Sequence, residues 1–207
     1  DHGFGPAPKK LFHVNTWLME QGFLMLKRKA LSRIKLLSKF HRLLIPLIEL
    51  FEGILEHLDV KILRAFKEAT LWGERQIISS IDWSRTLAYG SYLGVRINLK
   101  GREPRGAVKP SEYEALRELL IETLAQARDP EIGHRIFKAV LKREEVYRGR
   151  FIKLAPDIIT VPADNYRLTP AFGISCVTEN VFKLPSGDHR LHGIFIAHGR
   201  EVVFLRE

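Results

Sequence analysis

Apolar residues in the first third of the chain recur at three- and four-residue intervals, the spacing of one face of an α-helix. Gly22 and Pro46 interrupt this pattern, and each is expected to break or kink a helix. The pattern predicts helices from residue 9 to about residue 75. Between residues 31 and 66 the apolar positions are Leu31, Ile34, Leu37, Leu44, Leu47, Ile48, Leu50, Ile54, Leu58, Ile62 and Phe66.

Beyond Asp82 the apolar period changes from that of a helix to that of a strand. Residues 93, 95, 97 and 99 are apolar and alternate with polar or small residues, which predicts a half-buried strand. A helix is predicted after Pro110, with Ser111 as N-cap, Glu114 closing a capping box and Asp129-Pro130 as its end. Short strands are predicted at residues 136–142, 157–161, 193–197 and 202–205. The whole pattern predicts an α/β protein with an all-helical insertion near its start.

Composition narrows the class of protein. The chain has 207 residues, enough for a sizeable core, with 45% apolar and 28% charged residues, as in ordinary globular proteins. A single cysteine, Cys176, excludes an intrachain disulfide framework and a cysteine-rich zinc module. No uninterrupted apolar run reaches the roughly 18 residues of a membrane-spanning helix. We therefore expect a cytoplasmic protein, the default for a chain that uses so little cysteine.

The net charge of +9 is concentrated in one segment. Seven cations and no acidic residue lie between Gln21 and Ile48, and subtracting these seven leaves +2 for the rest of the chain. A basic amphipathic helix can dock on an anionic membrane or on nucleic acid, which gives one function class. We favour the alternative of a helical cap with a solvated basic face, because the acidic helix that follows offers an antiparallel partner.

Two of the eight histidines stand in a context that suits metal binding. His2 follows Asp1 and precedes Gly3, and carboxylate and imidazole donors suit zinc. Gly3 and Gly5 predict a sharp turn. His189 lies in a predicted polar turn directly before the apolar residues 193–197. We expect His192 and His198 to be surface or supporting residues, and His13, His41, His57 and His134 to be solvated or packed.

Two further segments, residues 82–86 and 98–104, place arginine or lysine among polar and glycine residues. Such residues can approach a phosphate closely and position a substrate. The equally weighted alternative is structural, with Trp83 and Tyr89 in the core and Gly101 and Pro104 in an ordinary turn. Ser84 and Thr86 are not expected to act as nucleophiles, so no catalytic residue is assigned within the chain.

The motif Asp-His-Gly-Phe-Gly-Pro at residues 1–6 resembles one that alkaline phosphatase superfamily enzymes place at the edge of a two-metal centre. Within that superfamily the chain resembles the type I phosphodiesterase/nucleotide pyrophosphatase family, in its archaeal and bacterial branch. Further similar segments follow in order at residues 14–24, 81–90, 97–106, 143–149, 155–159 and 186–199. The resemblance spans nearly the whole chain apart from roughly residues 28–75.

The resemblance implies a fold and a division of the chain. It implies the C-terminal half of an alkaline-phosphatase-like domain with an inserted helical cap. Residues 1–8 would form the metal-site loop, residues 9–80 the cap, and residues 81–207 the C-terminal part of the α/β domain. The implied partner is the missing N-terminal portion of the same protein.

The resemblance also implies an activity, the metal-dependent hydrolysis of phosphoesters, with phosphodiesters or nucleotide pyrophosphates as leading substrates. Asp1 and His2 match an Asp-His pair that binds one metal, and His189 matches a ligand of the second. Two Zn²⁺ ions are the implied cofactors. The nucleophilic Thr or Ser and the remaining ligands would lie upstream, so we expect the isolated chain to be inactive and to bind metal weakly. A phosphomutase or sulfatase relative is the alternative within the superfamily.

Overall fold

Three small β-sheets carry most of the fold in the computed structural model, which describes residues 2–27, 79–173, 175–180, 187–190, 192–194 and 196. The strands are β1 (Gly3–Pro6), β2 (Lys10–His13), β3 (Ala88–Ser91), β4 (Gly94–Ile97), β5 (Phe137–Lys142), β6 (Ile158–Pro162), β7 (Tyr166–Thr169), β8 (Val177–Glu179) and β9 (Gly187–Arg190). The α-helices among the described residues are α1 (Val14–Glu20), α2 (Tyr113–Ala125) and α3 (Arg143–Val146). The part of the chain that the structure describes is therefore mixed α/β, with several sheets and few helices. The strands predicted at residues 136–142 and 157–161 correspond to β5 and β6.

The largest sheet has four antiparallel strands in the order β3-β4-β6-β5. Val95 and Ile97 on β4 are fully buried, as the alternation predicts, but the strand is shorter than residues 93–99. It begins at Gly94, whose φ is 152° and whose Cα lies against β6. A Cβ at Gly94 would stand 1.9 Å from the Ile158 carbonyl oxygen. Only glycine fits this contact between two adjacent strands.

Helix α2 packs against β5, with Leu120 and Leu124 fully buried on its inner face. The predicted helix is correct in place, but its predicted cap is wrong. A 3₁₀ turn over Pro110–Glu112 precedes the helix, and the Glu112 carboxylate accepts a hydrogen bond from the Lys109 N–H at 3.2 Å. Glu114 instead faces cations, because its position in the first turn of the helix brings it beside Arg117 and Lys142.

The second sheet has the order β7-β2-β8, with β2 parallel to β7 and antiparallel to β8. Strand β2 corrects the prediction that helix begins at residue 9. Residues Lys10–His13 are extended because they pair on both edges, and α1 starts only at Val14. Phe12 is buried in the core against Trp17 and Phe137. The predicted break at Gly22 is confirmed, since α1 ends at Glu20 and Gly22 has a φ of 80°.

The third sheet is a two-stranded antiparallel ribbon formed by β1 and β9, which we call the histidine ribbon. Its register pairs Gly3 with Arg190 and Phe4 with His189. The predicted turn at Gly3 and Gly5 is wrong, because both residues lie in β1. The predicted polar turn around His189 is wrong as well, because His189 lies within β9. The two glycines are needed for close approach: a Cβ at Gly3 would stand 1.9 Å from the His192 carbonyl oxygen.

Several predictions fall partly or wholly outside the described residues. Most of the predicted cap at residues 9–80 lies there, since residues 28–78 are not described, while its described residues 9–27 contain β2 and α1. The strand predicted at residues 202–205 lies there too. Of the strand predicted at residues 193–197, the described residues 193, 194 and 196 are not in a strand. No helix in the described part of the chain is long and apolar enough to cross a membrane.

Candidate metal centre

The histidine ribbon brings together two of the three residues predicted to bind metal. The Nδ1 atoms of His2 and His189 lie 3.1 Å apart, although 187 positions separate these residues in the sequence. Their rings meet nearly at right angles, with centroids 4.2 Å apart. Backbone pairing between β1 and β9 fixes this approach, because Phe4, two residues after His2, pairs directly with His189. Asp1, the third predicted ligand, lies outside the described residues.

Phe4 forms an aromatic wall beside the two imidazoles. Its ring centroid lies 5.1 Å from that of His2 and 5.1 Å from that of His189. The side chain of Phe4 is nevertheless 74% exposed, so one side of the imidazole pair is open to solvent. Side chains alternate between the faces of a strand, which places His2 and Phe4 together and leaves Gly3 and Gly5 on the opposite face.

The separation of the two nitrogens fits a metal site. Two Zn–N bonds of roughly 2.0–2.1 Å at a tetrahedral angle place their nitrogen atoms about 3.3 Å apart. The observed 3.1 Å is close to this value for two ligands of one ion, and it also fits a hydrogen bond between the two imidazoles; ligands of two neighbouring ions, as the resemblance implies, need only lie within a few ångströms of each other. Within the described ranges no group of three His, Cys, Asp or Glu residues could hold an ion. The described part of the chain thus offers two donors, and a complete site requires Asp1 or further ligands.

An ion pair beneath the histidine ribbon ties His189 to the rest of the fold. Asp188 accepts a hydrogen bond from the His189 N–H at 2.9 Å and another from Arg167 Nε on β7 at 2.9 Å. Partial burial favours a higher pKa for Asp188, but the Arg167 guanidinium and the His189 N–H outweigh it and lower that pKa. Asp188 therefore stays ionised near neutral pH. The ion pair with Arg167 can therefore hold β9 in place. His189 is the next residue of β9, so its side chain lies on the opposite face of the strand from Asp188.

The N-terminal strand of the ribbon is anchored as well. Arg190 donates hydrogen bonds to the Pro6 carbonyl and, at 3.4 Å, to the His189 carbonyl. Its side chain crosses Gly5, where a Cβ would lie 2.7 Å from Arg190 Nε. Asn180 donates to the Pro8 carbonyl at 3.0 Å. These contacts hold β1 and β9 in register, so the pair of imidazoles is supported from both strands.

The remaining described histidines take no part in this pair. His13 is buried at the end of β2, with Nδ1 3.1 Å from the Ala171 carbonyl and Nε2 2.8 Å from Thr178 Oγ1. Burial lowers the pKa of His13, in spite of the Ala171 carbonyl contact that raises it, which fits a packed neutral imidazole. His134 and His192 are exposed. His41, His57 and His198 lie outside the described residues.

The predicted substrate-positioning segments are occupied by structural contacts. Asn98 donates through Nδ2 to the carbonyls of Trp83, Thr86 and Arg105, which closes the turn after β4. Trp83 packs edge-to-face on Tyr89 at 5.3 Å between centroids. These contacts correspond to the structural alternative for both segments.

Sequence reasoning missed a second polar cluster, centred on Asp157. This fully buried carboxylate accepts hydrogen bonds from Arg102 at 2.7 Å, Tyr113 at 2.7 Å, Arg143 at 3.0 Å and the Ile97 N–H at 2.7 Å. Burial favours a higher pKa for Asp157, but these donors outweigh it and lower that pKa. The available signal was an aspartate at the start of an apolar strand, since such a residue needs buried partners.

Comparison with protein-family models, with curated proteins and with solved structures finds no match for the chain. The family resemblance of the sequence therefore stays a hypothesis. The geometry of the histidine ribbon is the observation on which a functional proposal can be built.

Proposed function

We propose that the chain carries part of the metal centre of a phosphoester hydrolase similar to the type I phosphodiesterase/nucleotide pyrophosphatase family. The single observation that carries this proposal is the 3.1 Å approach of His2 Nδ1 and His189 Nδ1. The resemblance singles out the same two residues from opposite ends of the sequence as ligands in one centre. Their approach is what such a centre requires.

Each residue has a distinct part in the proposal. Asp1 and His2 would hold one ion and His189 the second, while Phe4 would limit access from one side. Two ions in such centres lie about 3.5–4 Å apart, so ligands of neighbouring ions are expected within a few ångströms of each other. Zinc is the ion that best suits this donor set. The pair of ions would neutralise the phosphoryl oxygens and stabilise the departing oxygen.

The chain supplies position in this scheme and no nucleophile. The β1–β9 backbone pairing holds the imidazoles, and the Asp188–Arg167 ion pair holds β9. The nucleophilic Thr or Ser and the remaining ligands would come from residues that this sequence does not contain. A phosphomutase or sulfatase relative would use the same ribbon with a different nucleophile and pocket.

A phosphate-binding experiment separates a hydrolase centre from a purely structural metal site. The 207-residue chain is loaded with Zn²⁺ and titrated with AMP, while the AMP phosphorus and the histidine ring signals are followed by NMR. We expect AMP to perturb the His2 and His189 signals only when zinc is present, because a catalytic centre leaves coordination positions open. Adenosine, which lacks the phosphate, is the control. The proposal would be overturned if AMP left the His2 and His189 signals of the zinc-loaded chain unchanged.

The activity assay has an expected negative result. Half of a ligand set does not fix two ions, so we expect no turnover of bis-p-nitrophenyl phosphate by the pure 207-residue chain. Turnover that His189→Ala abolishes would show that the chain holds a complete centre and would contradict the assignment of the nucleophile to residues outside it.

A further inference from the structure

Large apolar side chains are exposed together at the turn between β3 and β4 and in the segment after α3. Tyr92 is 71% exposed and Leu93 56%, both at the tip of the hairpin. Phe151 is 63% exposed and Leu154 71%, and Tyr147 is also on the surface. Scattered apolar residues need no explanation, but a contiguous group of this size marks an interaction site.

Leu93, Tyr147 and Phe151 line one shallow groove, and Tyr92 and Leu154 are sequence neighbours of residues that line it. The groove has a volume of about 250 Å³ and is lined by Leu93, Tyr147, Arg148, Phe151, Ile152 and Ala155. Arg96 donates a hydrogen bond to the Leu154 carbonyl, and the Thr160 N–H donates to the Leu93 carbonyl at 3.1 Å. The hairpin tip and the later segment are thus fixed to the same sheet. We use the name basic apolar patch for the surface formed by the exposed side chains of Tyr92, Leu93, Tyr147, Phe151 and Leu154 and the cations Arg148, Arg150 and Lys153.

The charge of the patch is positive and is not neutralised locally. Residues 146–155 contain Arg148, Arg150 and Lys153 and no acidic residue. All three cations are exposed, and within the part of the chain that the structure describes none of them forms an ion pair. The Arg150 guanidinium lies 4.5 Å above the Phe151 ring centroid, which leaves its charge at the surface.

The two acidic residues directly before this segment are already engaged. Glu144 pairs with Arg117 at 2.7 Å and with Arg143 at 2.9 Å. Glu145 accepts a hydrogen bond from the Lys142 N–H at 2.5 Å. The three cations of the patch therefore remain available to an external anion.

We propose that the basic apolar patch docks the protein on an anionic phospholipid surface. Tyrosine rings place an apolar body and a polar tip at the headgroup level, which suits Tyr92 and Tyr147. Leucine and phenylalanine enter the acyl boundary, and Arg and Lys contact the lipid phosphates. Two aliphatic side chains, Leu93 and Leu154, favour lipid over nucleic acid, which would be bound by stacking on aromatic rings.

The test uses the 207-residue chain and vesicles of phosphatidylcholine, either pure or with roughly 30% of the anionic lipid phosphatidylglycerol. We expect co-sedimentation with the anionic vesicles only. Removing Arg148, Arg150 and Lys153 together by substitution with Gln should lower the partition coefficient roughly a hundredfold, at about fivefold per cation. The double variant Phe151→Ser and Leu154→Ser should also lose binding, although its charge is unchanged.

A matched control separates the patch from overall charge. Lys100, Arg105 and Arg135 are exposed cations outside the patch, and their combined substitution with Gln removes the same total charge. This control should bind anionic vesicles like the parent chain, and circular dichroism should show the same fold for every variant. Equal loss in the control and patch variants would overturn the proposal, as would vesicle binding that neither patch variant weakens.

Other occupants of the patch give different results. Duplex DNA binding that exceeds vesicle binding and is insensitive to Phe151→Ser and Leu154→Ser would overturn the lipid assignment. A concentration-dependent dimer that the same double variant abolishes, without binding to anionic vesicles, would assign the patch to a second copy of the chain. That result would also overturn the proposal.

Discussion

His2 and His189 lie with their Nδ1 atoms 3.1 Å apart, and the pairing of β1 with β9 is what joins them. The relationship does not depend on a loop that could adopt several forms. The His189 imidazole projects from β9, His2 directly precedes β1, and Phe4 touches both rings. The metal-binding proposal can therefore be tested by changes that disturb the ribbon without removing either histidine.

Gly3 offers the first such change. A Cβ at this position would stand 1.9 Å from the His192 carbonyl oxygen, so Gly3→Ala must push the chain after β9 away from β1. Overpacking of this kind costs about 1–3 kcal/mol. We expect the zinc affinity to fall roughly tenfold or more, a loss comparable to that of an outer-shell partner. A zinc titration, monitored through the histidine ring signals by NMR, measures the affinity of this variant.

Gly187→Ala is the matched control for Gly3→Ala. It lies on the same ribbon, and the nearest atom to its added Cβ would be the Gly5 carbonyl oxygen at an ordinary 3.5 Å. Its zinc affinity should match that of the parent chain. Equal losses in both variants would mean that the ribbon is merely sensitive to substitution.

The Arg167–Asp188 ion pair should act as a positioning pair for His189. Asp188→Asn and Arg167→Gln each remove the charge attraction at 2.9 Å but keep the side chains similar in size. We expect either variant to weaken zinc binding roughly tenfold through the position of His189. The free energy of unfolding should fall by no more than about 1 kcal/mol, because both partners are partly exposed.

A double-mutant cycle checks this prediction. If the pair acts as a unit, combining Asp188→Asn with Arg167→Gln should cost little more than either change alone. Strictly additive effects on zinc affinity would show that the two residues act independently, and the positioning role would then be wrong.

Asp157→Asn should be the most destabilising single polar substitution in the described fold. The carboxylate is fully buried and accepts hydrogen bonds from Arg102, Arg143, Tyr113 and the Ile97 N–H. Removing its charge deprives two guanidinium groups of their buried counter-ion and, among the described acidic residues, leaves Arg102 only Glu103 and Arg143 only Glu144. We expect a loss of about 3 kcal/mol, at the lower end of the range for broken buried pairs, because both arginines keep some contact with solvent.

The surface pair of Lys138 and Asp164 is the control for Asp157. Its 2.7 Å separation equals the shortest contacts of Asp157, but both side chains are more than half exposed. Asp164→Asn should leave the urea midpoint unchanged within error. Similar shifts for the two variants would contradict the importance assigned to burial.

Asp157 also predicts how stability depends on pH. Its pKa in the folded protein lies below the ordinary value of 3.8. The stability that the ionised carboxylate contributes is therefore complete above about pH 3.8 and is lost as the pH falls through the lower folded pKa. Urea unfolding at pH 7, 4 and 3 should show a smaller loss on acidification for Asp157→Asn than for the parent chain. An identical pH dependence would refute this.

Elements with a long, regular pattern could be predicted from the sequence. Helix α2 and strands β4, β5 and β6 fall where the period of apolar residues places them, because each buries one continuous face. Strand β2 could not be predicted in this way. Its four residues precede α1 directly, and so short a segment fits a helical and an extended period equally well. Residues 10–13 form a strand because they pair with β7 and β8, which are distant in sequence.

The sequence and its family resemblance single out His2 and His189, but they do not predict the ribbon that brings these two residues together. Paired glycines at Gly3 and Gly5 indicate a turn when read locally, whereas the structure uses them to admit His192 and Arg190 against an extended strand. Local sequence carries no information about such contacts, since they come from the other end of the chain. Asp188 and Arg167 were missed for the same reason, because their ion pair joins β9 to β7.

The most direct test of the metal-binding account is a Zn²⁺ titration of the chain with its histidine rings labelled for NMR. The account predicts that the His2 and His189 signals shift together at one zinc affinity, that His134 does not respond, and that His189→Ala weakens the response of His2 by more than about tenfold. If His2 and His189 stay unchanged while other histidines take up the ion, or respond at unrelated affinities, the proposed metal centre does not exist.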